Sequence, residues 1–334
     1  VLVEPFWPRR SPHFLACRRA VRPFDGPAVI GLSGGPDSLV LAAAAAAEDK
    51  DVCCVVVDHG LQDGSADVAE RAAGAARGFG LAAEVVRVEV GEGNVEAAAR
   101  SARYDALLAY GRDVWVAHTA DDQAEQVLLG LARGSGTRSL AGIPARGTLP
   151  GGAAVVRPLL GLTRADTETI CRWAGLTWFE DPHNRDPALL RSRVRTRVLP
   201  ALEDPDAGLG PGVRAGLVRT AAIAAEDAAA LEAWAGAEVT RLRVDPPARD
   251  PRVVSLDLDA LAALPAAVRH RVIARAARAA GGQAPPRERI LAVDALVTGA
   301  RAGGTSAGPV ELPGGVAAHR ACARLDLIPC LPGP

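Results

Sequence analysis

The chain has 334 residues, a formal net charge of −1 and 49% apolar residues, enough for one large domain with a sizeable core plus a smaller one. Balanced charge neither selects nor excludes nucleic acid, because partners read local charge. Six scattered cysteines without C-x-x-C spacing argue against a zinc site or iron–sulfur cluster, and no run reaches the roughly 18–20 apolar residues of a membrane span.

Residues 1–24, with early prolines and arginines and no signal-peptide pattern, are expected to form a short leader or helix of a cytoplasmic protein. Ala28–Leu32 reads as a strand and Asp37–Ala47 as the helix after it. Val52–Val57 is the next strand, then a helix near Ser65–Phe79. A strand near Glu84–Val90 precedes a helix from Asn94 to Tyr110. Val114–Ala117 is a fourth strand, followed by a helix from about Asp121 to Arg133. Val155–Val156 is a short fifth strand before a helix over Arg164–Ala174. Strands alternating with helices predict an α/β fold, a doubly wound parallel sheet covered on both faces, over residues 25–202. Residues 203–211, rich in Asp, Pro and Gly, read as a linker. Helices near Val213–Arg243, Leu256–Arg278 and Glu288–Leu296, then short β-like pieces within Val310–Ile328, predict a smaller, mostly helical second domain over 212–334. Lys50 is the only lysine, and alanine, glycine, arginine and proline are abundant. We read this as GC-rich coding bias, so an arginine or an alanine stripe is less informative than usual.

Four segments carry chemistry. Ser33-Gly34-Gly35-Pro36-Asp37-Ser38 joins the first strand to its helix. Glycines admit an anion close to the backbone, the helix start offers free N–H groups, and Asp37 can hold a magnesium ion. The run is neither a Walker P-loop nor a dinucleotide fingerprint. Asp58-His59-Gly60-Leu61, with Ser65 and Glu70, lies at the end of the second strand, where open α/β sheets bind ligands. His118-Thr119-Ala120-Asp121-Asp122-Gln123-Ala124-Glu125 lies at the end of the fourth and should face the first segment. Asp122 and Glu125 share a helical face and can bind magnesium or accept a proton from an amine; a solvated acidic first turn is the plainer reading. Arg133-Gly134-Ser135-Gly136 is either a helix C-cap or a phosphate contact, and the residues leave that open. Arg185, Arg191, Arg193, Arg195 and Arg197 make a local basic patch suited to phosphates.

The run S-G-G-x-D-S after a strand resembles the loop of the PP-loop ATP pyrophosphatases. Three further elements resemble one branch of that family, the tRNA(Ile)-lysidine synthases. They are Asp58-His59-Gly60-Leu61 with Ser65 and Glu70, Asn94-Val95-Glu96-Ala97-Ala98-Ala99-Arg100 with Arg103-Tyr104, and His118 to Glu125. Arg157-Pro158-Leu159-Leu160, Glu180-Asp181-Pro182 with Asn184 and Asp186, and Arg191-Ser192-Arg193-Val194-Arg195 with Val198-Leu199-Pro200 are similar to later elements of the branch. The resemblance is detailed over about residues 28–200 and looser beyond. Two positions depart from it. Gln62 and Ser192 stand where the branch commonly has arginine and asparagine.

The resemblance implies an ATP-dependent ligase acting on C2 of the wobble cytidine of the CAU-anticodon isoleucine tRNA. An adenylated cytidine forms, pyrophosphate leaves, and free L-lysine attacks to give lysidine, changing codon reading from AUG to AUA. It implies ATP contacts at Ser33, Gly34, Gly35, Pro36, Asp37, Ser38, Asp58, His59, Arg133 and Gly134. It further implies Mg2+ at Asp37 and Asp122, catalysis by Asp37, Asp122, Glu125 and His118, and tRNA contacts at Arg100, Arg103, Arg191, Arg193 and Arg195. No membrane partner is implied, and a homodimer is one assembly it allows. Rival readings are a PP-loop cytidine thiolase, an ammonia-using synthetase, and a non-catalytic ATP- or RNA-binding relative. The first typically needs a C-x-x-C pair or a cluster site, and the second a glutaminase; the sequence carries neither pattern.

Overall fold

The computed structural model describes residues 11–60, 64–89, 95–134, 136–246, 250–299 and 309–330. It divides into two compact units, residues 1–225 and 226–334. In the first, helix α1 (Pro12–Val21) precedes β1 (Ala28–Gly31), α2 (Pro36–Ala47), β2 (Val52–Asp58), α3 (Ser65–Gly78), β3 (Ala82–Arg87) and α4 (Val95–Leu108). Then come β4 (Asp113–Trp115), α5 (Ala120–Ala132), α6 (Thr137–Leu140), β5 (Arg146–Thr148), β6 (Ala154–Val156) and α7 (Arg164–Trp173). The unit closes with α8 (Leu190–Arg193), a π-turn over Val194–Val198, α9 (Leu199–Glu203) and the first turns of α10 (Val213–Arg241).

The strands form one sheet in the order β3-β2-β1-β4-β6-β5. All neighbours run parallel except β5, which pairs antiparallel with β6 at the edge. This is the expected doubly wound architecture, with β5 added by a short stretch whose Arg-Gly-Thr composition carries no strand pattern. Apolar residues alternate between two cores, as they must when both faces of a parallel sheet are covered. Ile30, Cys54 and Val56 face α1, α2, α3 and α7 on one side. Val29, Val55 and Val114 face Tyr104 and Leu107 of α4 on the other. The alanine-rich α2 is buried along most of its length, because alanine lets helix and sheet approach closely. Residues 12–21 are a docked helix, with Phe14, Cys17 and Val21 in the core and Ser11 capping the start.

The Asp-, Pro- and Gly-rich stretch after Glu203 is a loop. The start of α10 belongs to the first unit for a local reason. Arg214 there pairs with Asp121 at 2.8 Å and Glu203 at 3.0 Å, and Leu217 and Val218 pack on Ala124, Leu129 and Leu199.

In the second unit, α11 (Leu258–Ala262), α12 (Ala266–Ala279) and α13 (Arg287–Thr298) pack on a five-stranded sheet. Its order is β7 (Arg243–Val244), β8 (Val254–Asp257), β11 (Arg324–Pro329), β10 (Val316–Ala321) and β9 (Val310–Leu312), with antiparallel neighbours. The sequence shows helices and C-terminal β pieces here. What it hides is β8, which opens the segment read as one helix from Leu256. Alternating Val254 and Leu256 pair with β11, and Pro265 then separates α11 from α12.

Candidate active site

At β1 the strand order reverses, with β2 and β3 on one side and β4 and β6 on the other. Outside the carboxyl ends of β1 and β4 this leaves a cleft of about 700 Å³. Ser33, Asp37, Ser38, Asp58, His59, His118 and Asp122 all line it, so the structure brings the first three sequence segments together.

Loop 33–38 holds its shape by internal bonds. Ser38 Oγ donates to Gly35 O at 3.0 Å and accepts from Ser33 N at 3.1 Å. Gly34 lies at φ +78°, which favours glycine, and a Cβ there would crowd Ala72 Cβ at 3.2 Å. Phe179 N donates to Gly34 O at 3.0 Å, anchoring the loop from a segment far along the chain. Among the described residues no side chain caps the start of α2, so its first N–H groups and positive dipole end face the cleft for an anion.

Asp37 and Asp122 come from the first turns of α2 and α5, and Arg164 from the first turn of α7 lies between them. Arg164 Nε donates to Asp37 Oδ2 at 3.3 Å, and its Nη2 is 3.8 Å from Asp122 Oδ1. Thr167 Oγ1 donates to the other oxygen of Asp37. Burial pushes the Asp37 carboxyl above its ordinary value, against the pull of Arg164 and Thr167. Asp122 behaves oppositely. Burial would raise it, but Arg164, His118 and the Thr119 amide outweigh that and hold it below the ordinary aspartate value. Thr119 donates from N (2.8 Å) and Oγ1 (3.0 Å) to Asp122 Oδ2, the capping box that starts α5.

His118 accepts at Nδ1 from Arg157 Nε at 3.2 Å. Arginine only donates, so the neutral ring carries its proton on Nε2. Burial first, then Arg157 and Arg191 against the pull of Asp122, pushes its pKa down to about 4. At neutral pH His118 is therefore a hydrogen-bond donor without charge.

Glu125 is corrected by the structure. It is fully buried and does not line the cleft. Arg195 binds it through Nε to Oε1 at 2.6 Å and Nη2 to Oε2 at 3.1 Å, and Arg191 Nε reaches Oε2 at 3.0 Å. Arg195 Nη2 also donates to Asp122 Oδ1 at 3.3 Å. The π-turn at Val194–Val198 lies where these arginines leave the helix, a common place for such a bulge at functional sites. Arg191 and Arg195, expected to meet RNA, thus turn inward, while Arg193 donates to the carbonyls of Pro187 and Ala188. Ser192 Oγ donates to Asn184 O at 2.9 Å, so this departure from the family pattern keeps a hydrogen bond.

Asp58 Oδ1 accepts from Gly60 N at 2.9 Å. Arg103 lines the cleft beside His59, and among the described residues buried Arg103 Nε and His59 Nδ1 have no hydrogen-bond partner. Arg100 lies over the Tyr104 ring at 5.1 Å. Arg133 and Gly134 are a second correction. They close the far end of α5, about 20 Å from its start by helix rise, and neither lines the cleft. Gly134 at φ +63° is the helix C-cap reading of that segment. Leu61, Gln62, Asn94 and Ser135, and the side chain of Glu96, lie outside the described residues.

Arg164 and Thr167 were not singled out from sequence. Their signal is the capping box Thr163-Arg164-Ala165-Asp166 right after β6, at the same sheet edge as the other segments. Among the described residues no group of three or more His, Cys, Asp or Glu could hold a metal unaided.

A family model described as a PP-loop domain matches residues 19–202, and one described as a TilS substrate binding domain matches residues 256–325. The chain is 48% identical over 292 residues to a tRNA(Ile)-lysidine synthase of Nocardia farcinica, covering 86% of this chain and 87% of the relative. It is 45% identical over 338 residues to one from Salinispora tropica, covering 95% and 97%. Among solved structures, the U34-tRNA thiolase NcsA from Methanococcus maripaludis is alike in fold, with TM-score 0.52 and 18% identity over 65% of this chain and 81% of that one.

Proposed function

This chain belongs to the tRNA(Ile)-lysidine synthase family, and we propose that the cleft outside β1 and β4 is where it carries out the family's reaction. The protein is a ligase that forms a C–N bond on tRNA(Ile), giving lysidine, and it uses ATP. The observation that carries the site is the convergence of the uncapped start of α2 with Asp37, His118 and Asp122.

The pyrophosphate part of ATP lies on loop 33–38, against the N–H groups of α2. Two carboxylates that line the cleft on either side of Arg164, Asp37 and Asp122, would hold a magnesium ion that arrives with the nucleotide. Such an ion would supply positive charge to the leaving pyrophosphate. The wobble cytidine O2 attacks the α-phosphorus, and pyrophosphate departs. His118, neutral with its proton on Nε2, donates a hydrogen bond to an oxygen that gains charge in this step. The amine of free L-lysine then attacks C2, and AMP leaves. Asp122, kept ionised by Arg195 and the Thr119 amide, orients the ammonium and takes its proton. Glu125 acts at one remove, holding Arg195 against Asp122.

Exposed Arg197 and half-buried Arg193 suit the tRNA backbone, and Arg103 suits an acceptor on the flipped-out base. No described helix is long and apolar enough to cross a membrane, and a cytoplasmic setting suits a tRNA-modifying enzyme. A homodimer is compatible with this reading. The direct test is incubation with labelled lysine, ATP and the CAU-anticodon transcript, beside a transcript with the wobble cytidine replaced. Label in the first alone is expected; no label, or equal label in both, overturns the reading.

A further inference from the structure

Arg164 stands where two carboxylates from separate helices converge, and its hold on them is loose. Its backbone is fixed, since Arg164 N donates to Asp121 Oδ2 at 2.8 Å and the Thr163–Asp166 capping box starts α7. Its guanidinium is not. One bond to Asp37 is 3.3 Å, and the approach to Asp122 is 3.8 Å, beyond hydrogen-bond range. Arg195 contrasts with this, gripping Glu125 at 2.6 Å and donating to Asp122 Oδ1 at 3.3 Å, so Asp122 keeps a cation when Arg164 moves. The Arg164 side chain keeps 26% of its surface exposed toward the cleft it lines.

Two carboxylates this close repel unless a cation sits between them. A magnesium ion would need their oxygens at about 2.1 Å, leaving no room for a guanidinium in the same place. Arginine offers a planar fork that matches a phosphate as well as a carboxylate.

We propose that Arg164 is a resident counter-cation for Asp37 and Asp122, which a divalent ion displaces when nucleotide enters, the guanidinium then turning onto the phosphates. This rests on the reading of Asp37 and Asp122 as the metal carboxylates. Arg164 is a positioning residue in this account, and its removal has two opposite consequences. Metal alone binds better, because a competing charge is gone, whereas nucleotide binds worse, because a phosphate contact is gone.

The test uses Mn2+ as probe, read by its electron paramagnetic resonance signal, and a non-hydrolysable ATP analogue, read by calorimetry. Wild type, Arg164→Gln and Arg164→Ala are compared, with thermal melts to confirm folding; Gln keeps the length and polarity if Ala proves unstable. Both variants should bind Mn2+ alone at least about tenfold tighter and the Mn2+-analogue complex at least about tenfold weaker, since one unit charge a few ångströms away near the protein surface is worth at least that factor. Mn2+ binding that is unchanged, weaker or undetectable in every protein overturns the exchange. Asp37→Asn and Asp122→Asn separate the two ideas. If Mn2+ with the analogue binds these as tightly as wild type, the metal reading itself is wrong. If they lose it while the Arg164 variants gain nothing, the exchange alone is wrong.

Discussion

Arg195 closes a two-bond grip on Glu125, Nε to Oε1 at 2.6 Å and Nη2 to Oε2 at 3.1 Å, and passes a third contact to Asp122. With Arg191 on the same carboxylate, a fully buried acid is compensated by two cations. Removing one partner strands buried charge. Glu125→Ala is therefore expected to lower stability by about 3 kcal/mol in urea denaturation. A catalytic base in open contact with substrate would instead lose activity with the midpoint unchanged, and that result would refute the positioning role.

Asp122→Asn keeps an oxygen for the Thr119 cap and removes the negative charge. Lysidine formation should fall on the order of a hundredfold or more, the usual size of a general-base effect, and the thermal midpoint should fall as well, because the buried carboxylate balances Arg195 and Arg164. Steady-state kinetics in lysine read the first effect and calorimetry the second. Activity within a few-fold of wild type counts against Asp122 as proton acceptor.

His118 gives a pH signature. Its folded pKa is about 4, below the usual histidine value of about 6.5, so between these values the unfolded chain binds the extra proton. Stability is then present above pH 6.5 or so and is lost as pH falls toward 4, by about 3 kcal/mol. The Asp122 contribution fades only below the ordinary aspartate value, in a separate window. Replacing His118 with Asn should flatten the stability profile over the upper window. A slope identical to wild type there contradicts a buried neutral His118.

Gly34→Ala forces a side chain into a left-handed backbone and against Ala72. A cost of about 1–2 kcal/mol in stability is expected, with a weaker ATP analogue Kd. Unchanged nucleotide binding would separate the loop from the phosphates.

The basic stretch divides by orientation. Arg197→Ala is expected to weaken tRNA binding and reduce the salt slope by about one, without loss of stability. Arg195→Ala should destabilise the fold, because its charge lies on Glu125. Filter binding across a salt series, with melts on the same variants, distinguishes them; equal salt effects from both positions would contradict the division.

Much of this site is legible in the linear chain because each piece is local. A strand, then glycines and serines, then a helix start can be read from loop 33–38 alone, since strand ends and helix starts are encoded by neighbouring residues. The same holds for His118–Asp122, where strand, cap and acidic first turn follow one another. Glu125, three residues on, shares that helical face in the sequence. Only the packing of residues 190–199 against α5 buries it and converts it from a candidate base to an anchor. Arg133 and Gly134 share a helix with Asp122, and helix length alone carries them away from the cleft.

Hydrophobic period and capping chemistry act over a few residues, so the chain alone carries the strand–helix alternation, the glycine–serine loop and the carboxylate–histidine segment. The tertiary structure decided which charges meet. Arg164 reaches Asp37 across 127 positions and Arg195 reaches Glu125 across 70. Such pairings depend on how α7 and the α8–α9 segment pack on the sheet. Coulombic partnership is set by distance in space, which no local pattern in the chain encodes.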